Sequence, residues 1–357
     1  MMTVPRLSNR LKGRASRSKG FTLIEFMIAI TLGLLVVFAL VLLYVNLSRT
    51  NTEMAKTNRL IENGRFAIQV LQSDVAHAGF WAELVAPTPT AIPDPCAAVP
   101  TDAALKKTYF DNMLGVPVQG YADGSTLSGC GVTGVLASSD VLLVRHANTC
   151  SGGTDTGPYL QLSSCANDPQ PYIVDSGTTT FTLQTKACGS TTTSVLDACS
   201  DGVTTTTFAP LRKFVSDIYY LASSSGVPTL MRVSYVNGAY TTPQPLIDGI
   251  EAFRAECGID VNGSNGLPIS ASNPGDGNAD TFVACSAMTL TQMANVMAVK
   301  LYVLARNTET TGGYTDSKTY ALGSVSIAGS SLSAGYKRHV FSTTVRLTNP
   351  SSNREPP

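Results

Sequence analysis

The sequence predicts an α+β protein in which a long N-terminal helix packs on an antiparallel β-sheet with disulfide-bridged loop insertions. Three observations support this fold class. An apolar run at residues 21–45 continues without proline into an amphipathic stretch that reaches about residue 78. Short β-prone segments follow from residue 140 onward, separated by loops rich in glycine, proline and threonine. The eight cysteines all lie after residue 95.

The composition is that of a folded protein rather than a disordered chain. The 357 residues are 43% hydrophobic and 14% charged, which supplies enough apolar surface for a core. The 25 basic and 25 acidic residues balance, so the whole chain offers no electrostatic reason to bind nucleic acid. The first 20 residues nevertheless hold six basic residues and no acidic one. A basic leader therefore precedes an acidic body.

The apolar run from Phe21 to Val45 is long enough to cross a bilayer. A hydrocarbon core about 30 Å thick needs about 20 helical residues, and Glu25 is the single charge in this run. The basic leader places the N-terminus in the cytoplasm by the positive-inside rule. A secretory signal peptide would have a shorter apolar core and a small-residue cleavage site after it. A plain signal anchor is the other alternative, but it leaves the costly intramembrane carboxylate of Glu25 unexplained.

Residues 19–25 (Lys-Gly-Phe-Thr-Leu-Ile-Glu) resemble the class III signal of type IV prepilins and type II secretion pseudopilins. In those families a prepilin peptidase cuts after the glycine, the new first residue is methylated, and the apolar helix is kept. The resemblance implies cleavage between Gly20 and Phe21, N-methylation of Phe21, and Glu25 as the fifth residue of the mature chain. It also implies a role of Thr22 and Glu25 in subunit assembly.

The charge of Glu25 has a physical explanation in that setting. Cleavage would create an α-ammonium group at Phe21 in apolar surroundings. The cation and the carboxylate are each costly alone in lipid and much less so as a pair. We therefore expect Glu25 to pair with the Phe21 ammonium of a neighbouring subunit, which would favour docking and fix its axial register.

The helix is expected to continue past the membrane as one helix of roughly 58 residues, about 85 Å long at 1.5 Å per residue. Beyond Val45, apolar residues recur mostly at spacings of three and four, which indicates one buried face. The predicted face is Leu47, Met54, Thr57, Ile61, Gly64, Ile68, Leu71, Val75 and Ala78. Gly33 and Gly64 are either points of bending or places where a neighbour packs closely. Gly79, followed by two aromatic residues, is expected to end the helix and cap the core.

Two stretches of this helix resemble the PilW family of minor pilins. Residues 62–65 (Glu-Asn-Gly-Arg) match its ENGR-type element, and residues 78–81 (Ala-Gly-Phe-Trp) match its later AG-aromatic element. We expect the charged Glu62 and Arg65 to lie on a solvated helical face. The resemblance implies the type IV pilin fold, in which a long N-terminal helix cradles an antiparallel sheet.

The C-terminal part adds to the resemblance. Residues 246–260 are similar to a family run that ends in Tyr-Gly-Val-Asp, with Cys257 in place of the tyrosine. Residues 299–306 and 336–349 are similar to the last two strands of the family. Thr348 stands where the family usually has arginine before the final asparagine. The resemblance covers both ends of the chain and little of its middle.

Several segments have the composition of β-strands. They are residues 140–145, 180–184, 214–221, 230–236, 250–259, 297–305 and 338–347. Asn237-Gly238 predicts a type I′ hairpin, and residues 223–227 offer a second turn. The resulting antiparallel sheet is expected to pack on the second half of the long helix.

This pattern gives an expected domain organisation. A leader at 1–20 precedes a transmembrane or fibre-core half-helix at 21–45 and an amphipathic half-helix at 46–80. A β-rich globular domain follows at 81–357, with an insertion at about 87–210 that elaborates this domain.

The cysteines predict disulfides formed in an oxidising compartment, because none belongs to the close Cys/His pairs of a zinc site. They are Cys96, Cys130, Cys150, Cys165, Cys188, Cys199, Cys257 and Cys285. Sequence alone leaves the connectivity open. Sequential pairing is our prediction, which gives the bridges 96–130, 150–165, 188–199 and 257–285.

No catalytic or cofactor-binding motif is found, so we expect neither an enzyme nor a resident cofactor. One weak calcium pattern is present: Asp276, Asn278 and Asp280 occupy positions one, three and five of a calcium loop. Thr281 replaces the glycine expected at position six, and no glutamate stands at position twelve. Calcium binding and a solvated turn both stay open.

The residues and the resemblance together predict a minor pilin of a Gram-negative type IV pilus system. It would join the minor-pilin complex that primes pilus assembly and sits at the tip. The implied partners are other minor pilins, the major pilin, the prepilin peptidase and the inner membrane. The protein would be single-pass in the inner membrane with its C-terminal domain in the periplasm, and later part of the fibre at the cell surface.

Two alternatives of other classes remain. One is a minor pseudopilin of type II secretion. The other is a binding module, a pilus-tip adhesin or DNA-uptake pilin that uses the cysteine-rich middle. The acidic body disfavours broad nucleic-acid binding, whereas a local basic patch stays open.

Overall fold

The structure, a computed structural model, divides into two compact units, Met1–Ala55 and Lys56–Pro357. The described residues are 20–122, 125–150, 157–163, 170–175 and 209–354. Their helices are α1 (Leu23–His77), α2 (Ala103–Gly115), α3 (Leu290–Met293) and α4 (Thr348–Ser352). Their strands are β1 (Val118–Tyr121), β2 (Val141–Ala147), β3 (Tyr159–Leu162), β4 (Tyr172–Asp175), β5 (Leu211–Ser224), β6 (Val227–Val236), β7 (Ala239–Tyr240), β8 (Gln244–Asp248), β9 (Ile250–Ile259), β10 (Thr281–Ala284), β11 (Val296–Arg306), β12 (Thr319–Leu322), β13 (Val325–Ala328) and β14 (Arg338–Arg346).

Helix α1 confirms the predicted long helix, with 55 residues. In the first unit its residues Phe26 to Val45 are all exposed and almost all apolar. This stretch is long and apolar enough to cross a membrane.

The strands are arranged in antiparallel sheets, as the fold class predicts. An eight-stranded sheet has the order β1-β2-β5-β3-β4, with β6 also paired to β5 and carrying β7 and β8. A four-stranded sheet has the order β10-β9-β11-β14, and β12 pairs with β13. The sequence led us to expect one sheet. The chain instead changes sheet between β8 and β9 at Gly249, whose φ of +79° is a left-handed conformation that glycine adopts without strain.

Both predicted turns are confirmed. Asn237 and Gly238 have φ values of +53° and +81°, the left-handed pair that a type I′ turn requires, and they join β6 to β7. Ser225 and Gly226, with φ values of +50° and +83°, join β5 to β6. The other predicted strands are confirmed with small changes at their ends, and residues 180–184 lie outside the described part of the chain.

The region preceding β5 contributes elements that the sequence did not reveal. Helix α2 is capped by Asp102, whose side chain accepts hydrogen bonds from the backbone N–H groups of Ala104 and Leu105 at 3.1 and 3.0 Å. The short strands β1, β3 and β4 join the same sheet as β5. The Asp102 cap was the available signal for α2, whereas four-residue strands are too short to give a clear alternation.

The main core lies between the second half of α1 and the two larger sheets. Its α1 residues include Leu60, Ala67, Leu71 and Val75, and Ala78 directly after the helix also belongs to it. They pack with residues of β2, β5, β9, β11 and β14. This arrangement confirms that the sheet layer packs on the second half of the helix. Hydrophobic residues from both sheets meet this single helix, so burial of one helical stripe stabilises the whole domain.

The predicted helical face is only partly correct. Leu71 and Val75 are buried, but the face missed Leu60, which is 4% exposed. Leu47 and Met54 are 54% and 60% exposed. Both lie in the first unit, and the described residues of that unit contain no helix or strand other than α1 against which these side chains could pack. Spacing alone does not show where along a helix its packing partners begin.

The end of α1 follows the prediction. Gly79 has a φ of +73°, and its N–H donates a hydrogen bond to the Arg145 carbonyl oxygen at 3.0 Å. The Trp81 side chain is 2% exposed, and its indole N–H donates to the Leu114 carbonyl oxygen at 3.1 Å. Trp81 also stacks on Phe214 with ring centroids 5.8 Å apart. Trp81 and Phe214 thus belong to a second hydrophobic cluster of buried residues.

Two of the predicted disulfides are confirmed, Cys96–Cys130 and Cys257–Cys285. The second joins β9 to the residue that follows β10, and both of its cysteines belong to the main core. Cys150 has no disulfide partner among the described residues. Cys165, Cys188 and Cys199 lie outside the described residues, so the bridges 150–165 and 188–199 stay predictions.

Gly64 is a site of close packing. A Cβ atom at this position would lie 2.1 Å from the nearest ring carbon of Phe341, far inside van der Waals contact. The missing side chain lets β14 place its aromatic ring directly on α1. Gly33 in the first unit has no such neighbour within 4 Å.

We predict that Gly64→Ala destabilises the domain by about 1–3 kcal/mol, because the methyl group forces the Phe341 ring out of its position. The measurement is denaturant unfolding of the full-length protein. In a Phe341→Ala background the same Gly64→Ala change should stabilise by about 1 kcal/mol, since only the helix propensity gain remains. An equal effect of Gly64→Ala in both backgrounds would contradict the packing explanation.

Candidate functional site

The N-terminal residues form a capped helix start. Phe21 is 88% exposed and precedes Thr22 and the first turn of α1. The Thr22 N–H and hydroxyl donate to Glu25 Oε2 at 3.0 and 2.9 Å. In return, the Glu25 N–H donates to the Thr22 hydroxyl oxygen at 3.3 Å. This reciprocal arrangement is a capping box, which satisfies N–H groups that would otherwise lack partners.

The capping box gives Glu25 a local role that the sequence argument missed. The Thr-x-x-Glu spacing of Thr22 and Glu25 was the signal that could have revealed it. The side chain is turned back toward the chain start, close to the backbone that follows Gly20 and Phe21. The bonds of the cap involve only one carboxylate oxygen, Oε2. A carboxylate can accept more than these bonds, so capping and a second interaction are compatible.

Two residues of the ENGR stretch (62–65) contact the sheets, and the other two are exposed to solvent. The Asn63 side-chain amide donates to the Asp248 carbonyl oxygen at 2.9 Å and ties α1 to β8. Gly64 accommodates Phe341, as described above. Glu62 and Arg65 are exposed, which confirms the expectation of a solvated face. The two central residues therefore contact the sheets, and the two outer ones are exposed to solvent.

A buried polar cluster joins the end of α1 to the eight-stranded sheet. His146 on β2 lies 2.9 Å from Asp74 on α1, between Nε2 and Oδ1. Burial alone would lower the pKa of His146, but the hydrogen bond and charge of Asp74 outweigh it, and the pKa is raised. On β5, burial followed by repulsion from Asp74 raises the pKa of Asp217 to about 6. Arg232 lies 3.7 Å from Asp217.

A second buried cluster holds the ends of β9, β11 and β14 together. The Arg338 side chain is completely buried and donates from Nε to Glu251 at 2.5 Å and from Nη1 to Asp316 at 2.9 Å. Arg306 donates to the same Glu251 at 3.2 Å. Each carboxylate thus has a cationic partner, which is the condition for burying such charges. The arrangement ties the three strands together.

The residues of the calcium pattern are used by the backbone of their own loop. Asp276 Oδ1 accepts from the Asn278 N–H at 2.9 Å. Asp280 Oδ2 accepts from the N–H groups of Val261 and Asn262 at 2.8 and 2.9 Å. Among the residues that the structure describes, no group of three or more His, Cys, Asp and Glu is placed to hold a metal. Calcium binding and a solvated turn both stay open for this loop.

Comparison with known proteins gives two family matches. Residues 15–41 match the prokaryotic N-terminal methylation motif. Residues 218–349 match the family model described as Type IV Pilus-assembly protein W, PilW. The matched region begins in the middle of β5 and extends through β14. No curated protein and no solved structure matches the chain.

These findings define the class first. They support a prepilin-like protein with a pilin-like fold. The supporting features are the long apolar N-terminal helix, the methylation motif and the antiparallel sheets that pack on the helix. The second match, over residues 218–349, supports a PilW-type protein related to type IV pili. Pilin-family domains point to a structural, non-enzymatic protein that interacts with other pilus components. The methylation motif and the apolar helix fit anchoring in the inner membrane.

We predict that the domain loses stability as the pH rises above about 6.5. His146 has a raised pKa in the folded state, so it stabilises the protein fully below its unfolded pKa of about 6.5, and this contribution disappears as the pH passes the folded value. The pKa of Asp217 is also raised in the folded state, so its contribution to stability likewise falls as the pH rises, between about pH 4 and 6. Thermal unfolding of the full-length protein at several pH values measures both.

The matched variant is His146→Gln, which keeps a polar side chain of similar size without a titrating ring. It should show a smaller loss of stability between pH 6 and 8 than the unmodified protein. A loss of the same size in both proteins would show that other groups cause the dependence.

Proposed function

We propose that the protein is a minor pilin that takes part in the minor-pilin complex, primes type IV pilus assembly and sits at the tip. The observation that carries this proposal is the exposed apolar segment Phe21–Val45 with Glu25 as its single charge, ahead of a PilW-matched domain. An exposed apolar helix of this length needs lipid or other helices around it. A pilus subunit meets both in turn, first in the membrane and then in the fibre.

The proposed maturation begins at the leader. The prepilin peptidase removes residues 1–20 between Gly20 and Phe21 on the cytoplasmic side, and Phe21 is N-methylated. Residues 21–45 then serve as the membrane and fibre-core half of the helix, and residues 46–80 as the half that supports the domain. The domain at 81–357, with its insertion at about 87–210, lies in the periplasm and later at the cell surface. The two observed disulfides support an oxidising compartment.

The proposed assembly step uses the part of the Glu25 carboxylate that the cap with Thr22 leaves available for another interaction. Its Oε2 atom closes the cap with Thr22, and the rest of the carboxylate is available to an outside cation. The ammonium group of Phe21 in an adjacent subunit supplies that cation. Pairing removes two isolated charges from an apolar environment, so it drives docking and selects one axial register. Other minor pilins and the major pilin are the proposed partners.

The first test is the N-terminus of the protein isolated from membranes. We expect mass spectrometry to find a chain that begins with N-methylated Phe21. Gly20→Val should leave the leader attached, because the side chain blocks the peptidase site. A mature protein that still begins at Met1, or that begins beyond Val45, would contradict the proposed maturation.

The second test separates the cap from the charge pair. Glu25→Gln keeps a side chain that closes a capping box but removes the negative charge. We expect Glu25→Gln and Glu25→Ala to be cleaved and methylated normally, and to be depleted about tenfold or more in sheared pili, as measured by quantitative immunoblotting. A tenfold change corresponds to about 1.4 kcal/mol, less than an uncompensated charge costs in lipid.

The matched control is Thr31→Val on the same exposed apolar helix. Thr31 donates its hydroxyl only to the Met27 carbonyl oxygen of its own helix, at 2.7 Å. Its replacement should leave incorporation unchanged. Normal incorporation of Glu25→Gln would show that Glu25 acts as a cap alone.

A further inference from the structure

Arg145 on β2 is a fully buried cation without an anionic partner. Its relative exposure is 0%, and among the described residues no carboxylate forms an ion pair with it. The comparably buried Arg338, by contrast, pairs with both Glu251 and Asp316. Charged side chains are almost never fully buried unless they are paired. Arg145 therefore lacks the compensation that the fold gives to Arg338.

Two hydrogen bonds hold the Arg145 guanidinium in place. Nη1 donates to the Val116 carbonyl oxygen at 2.7 Å, and Nη2 donates to the Gln119 side-chain oxygen at 2.9 Å. Both acceptors are neutral, and Nε has no partner among the described residues. A buried N–H group without an acceptor destabilises the folded state. An acceptor beside Nε would remove this penalty.

Arg145 lies on the face of the eight-stranded sheet opposite α1. Val144 of the same strand belongs to the main core with α1, and side chains alternate along a strand. Arg145 therefore shares the other face with Leu143, which belongs to a separate hydrophobic cluster. Gln119, which accepts from Arg145, donates through Nε2 to the Pro93 carbonyl oxygen at 3.0 Å. The guanidinium thus connects β2 with β1 and with the segment that precedes α2.

The ionisable side chains that interact with Arg145 do not balance its charge. They are three tyrosines: Tyr109 of α2, Tyr121 of β1 and Tyr240 of β7. Burial raises the pKa of all three, so their hydroxyls stay neutral at physiological pH. Burial lowers the pKa of Arg145, but a guanidinium keeps its proton in proteins. The positive charge therefore persists, and the described side chains around it supply no negative one.

The hydroxyls of these tyrosines differ in the hydrogen bonds that they already make. Tyr109 donates to the Ala97 carbonyl oxygen at 3.2 Å. The Tyr240 and Ser216 hydroxyls share a hydrogen bond of 2.8 Å. In the part of the chain that the structure describes, the Tyr121 hydroxyl makes no hydrogen bond, although burial is the main influence on its pKa. Tyr121 is therefore the tyrosine with a donor left for a further acceptor.

We propose that Arg145 binds a small monovalent anion of the size of chloride, held by its Nε–H group and the Tyr121 hydroxyl. Such an anion supplies the missing negative charge, whereas a water molecule would satisfy hydrogen bonds only. The complete burial of Arg145 leaves a bulky carboxylate or phosphate ligand no access to the guanidinium. The bound anion would fix the segment around Pro93 and α2 on the outer face of the sheet. This site goes beyond the proposed pilus function and does not depend on it.

The first experiment measures the Tm of the full-length protein in detergent, in sodium chloride and in sodium gluconate at equal ionic strength. Equal ionic strength keeps general screening constant, and gluconate is too large for a buried site. A ligand that binds only the folded protein raises its stability with concentration. We expect the Tm to rise with chloride and to saturate, with no such rise in gluconate. The same Tm response in both salts would contradict the proposal.

Three variants assign the response to the site. Arg145→Gln removes the charge and should abolish the chloride-specific rise. Tyr121→Phe keeps the ring and removes one donor, so it should raise the chloride concentration at half effect about tenfold. Arg212→Gln is the matched control, because Arg212 is partly exposed and donates to the carbonyl oxygens of Asn148 and Thr149. It should keep the full response, and a full response in Arg145→Gln would overturn the proposal.

Bromide locates the anion directly, even if Arg145→Gln does not fold. Crystals of the full-length protein grown in sodium bromide should show an anomalous scattering peak within hydrogen-bonding distance of Arg145 Nε. Density without an anomalous signal at that place would identify a water molecule and overturn the proposal. A bromide peak there without a chloride response of the Tm would show an adventitious ion only, which would also overturn it.

Discussion

Burial of one stripe of α1 is the constraint on which the rest of the domain depends. The stripe centres on Leu60, Gly64, Ala67, Leu71 and Val75, and residues of both larger sheets pack on it. The glycine is as important as the apolar residues, because its missing side chain lets an aromatic ring of β14 lie on the helix. Each sheet alone would expose an apolar face to water. The helix covers both, so the two sheets and the helix form one core.

The same helix carries a different constraint in its first half. There the apolar residues are exposed, and the one carboxylate, Glu25, lies in the first turn. The structure shows that this carboxylate caps the helix. Capping explains its position at the third residue of the helix, and the proposed charge pair would explain why an acid rather than glutamine stands in an apolar segment. Glutamine can close the same cap but carries no charge. The Glu25→Gln variant therefore tests the charge separately from the cap.

Charged residues also take part in the interior of the domain. Two pairs of buried charges connect its elements: Asp74 with His146 joins helix to sheet, and Arg338 with Glu251 joins strands. Such pairs are costly when one partner is lost, so they favour one arrangement of the elements.

Local rules let the sequence specify much of this protein. The extent of α1, the end at Gly79, the turns at Asn237-Gly238 and Ser225-Gly226 and most strands follow from hydropathy and backbone preference, which act within a few residues. The pairs Cys96–Cys130 and Cys257–Cys285 were predicted as one choice among many and needed the structure to confirm them.

Other features needed the tertiary structure. The division into separate sheets, the rotation of the buried face toward Leu60, the contact of Phe341 with Gly64 and the pairing of Asp74 with His146 join residues distant in the chain. No local pattern encodes such contacts, because their energy arises only when elements from different parts of the chain exclude water together. The sequence by itself therefore determined what each element is, and the packing of those elements decided which residues meet.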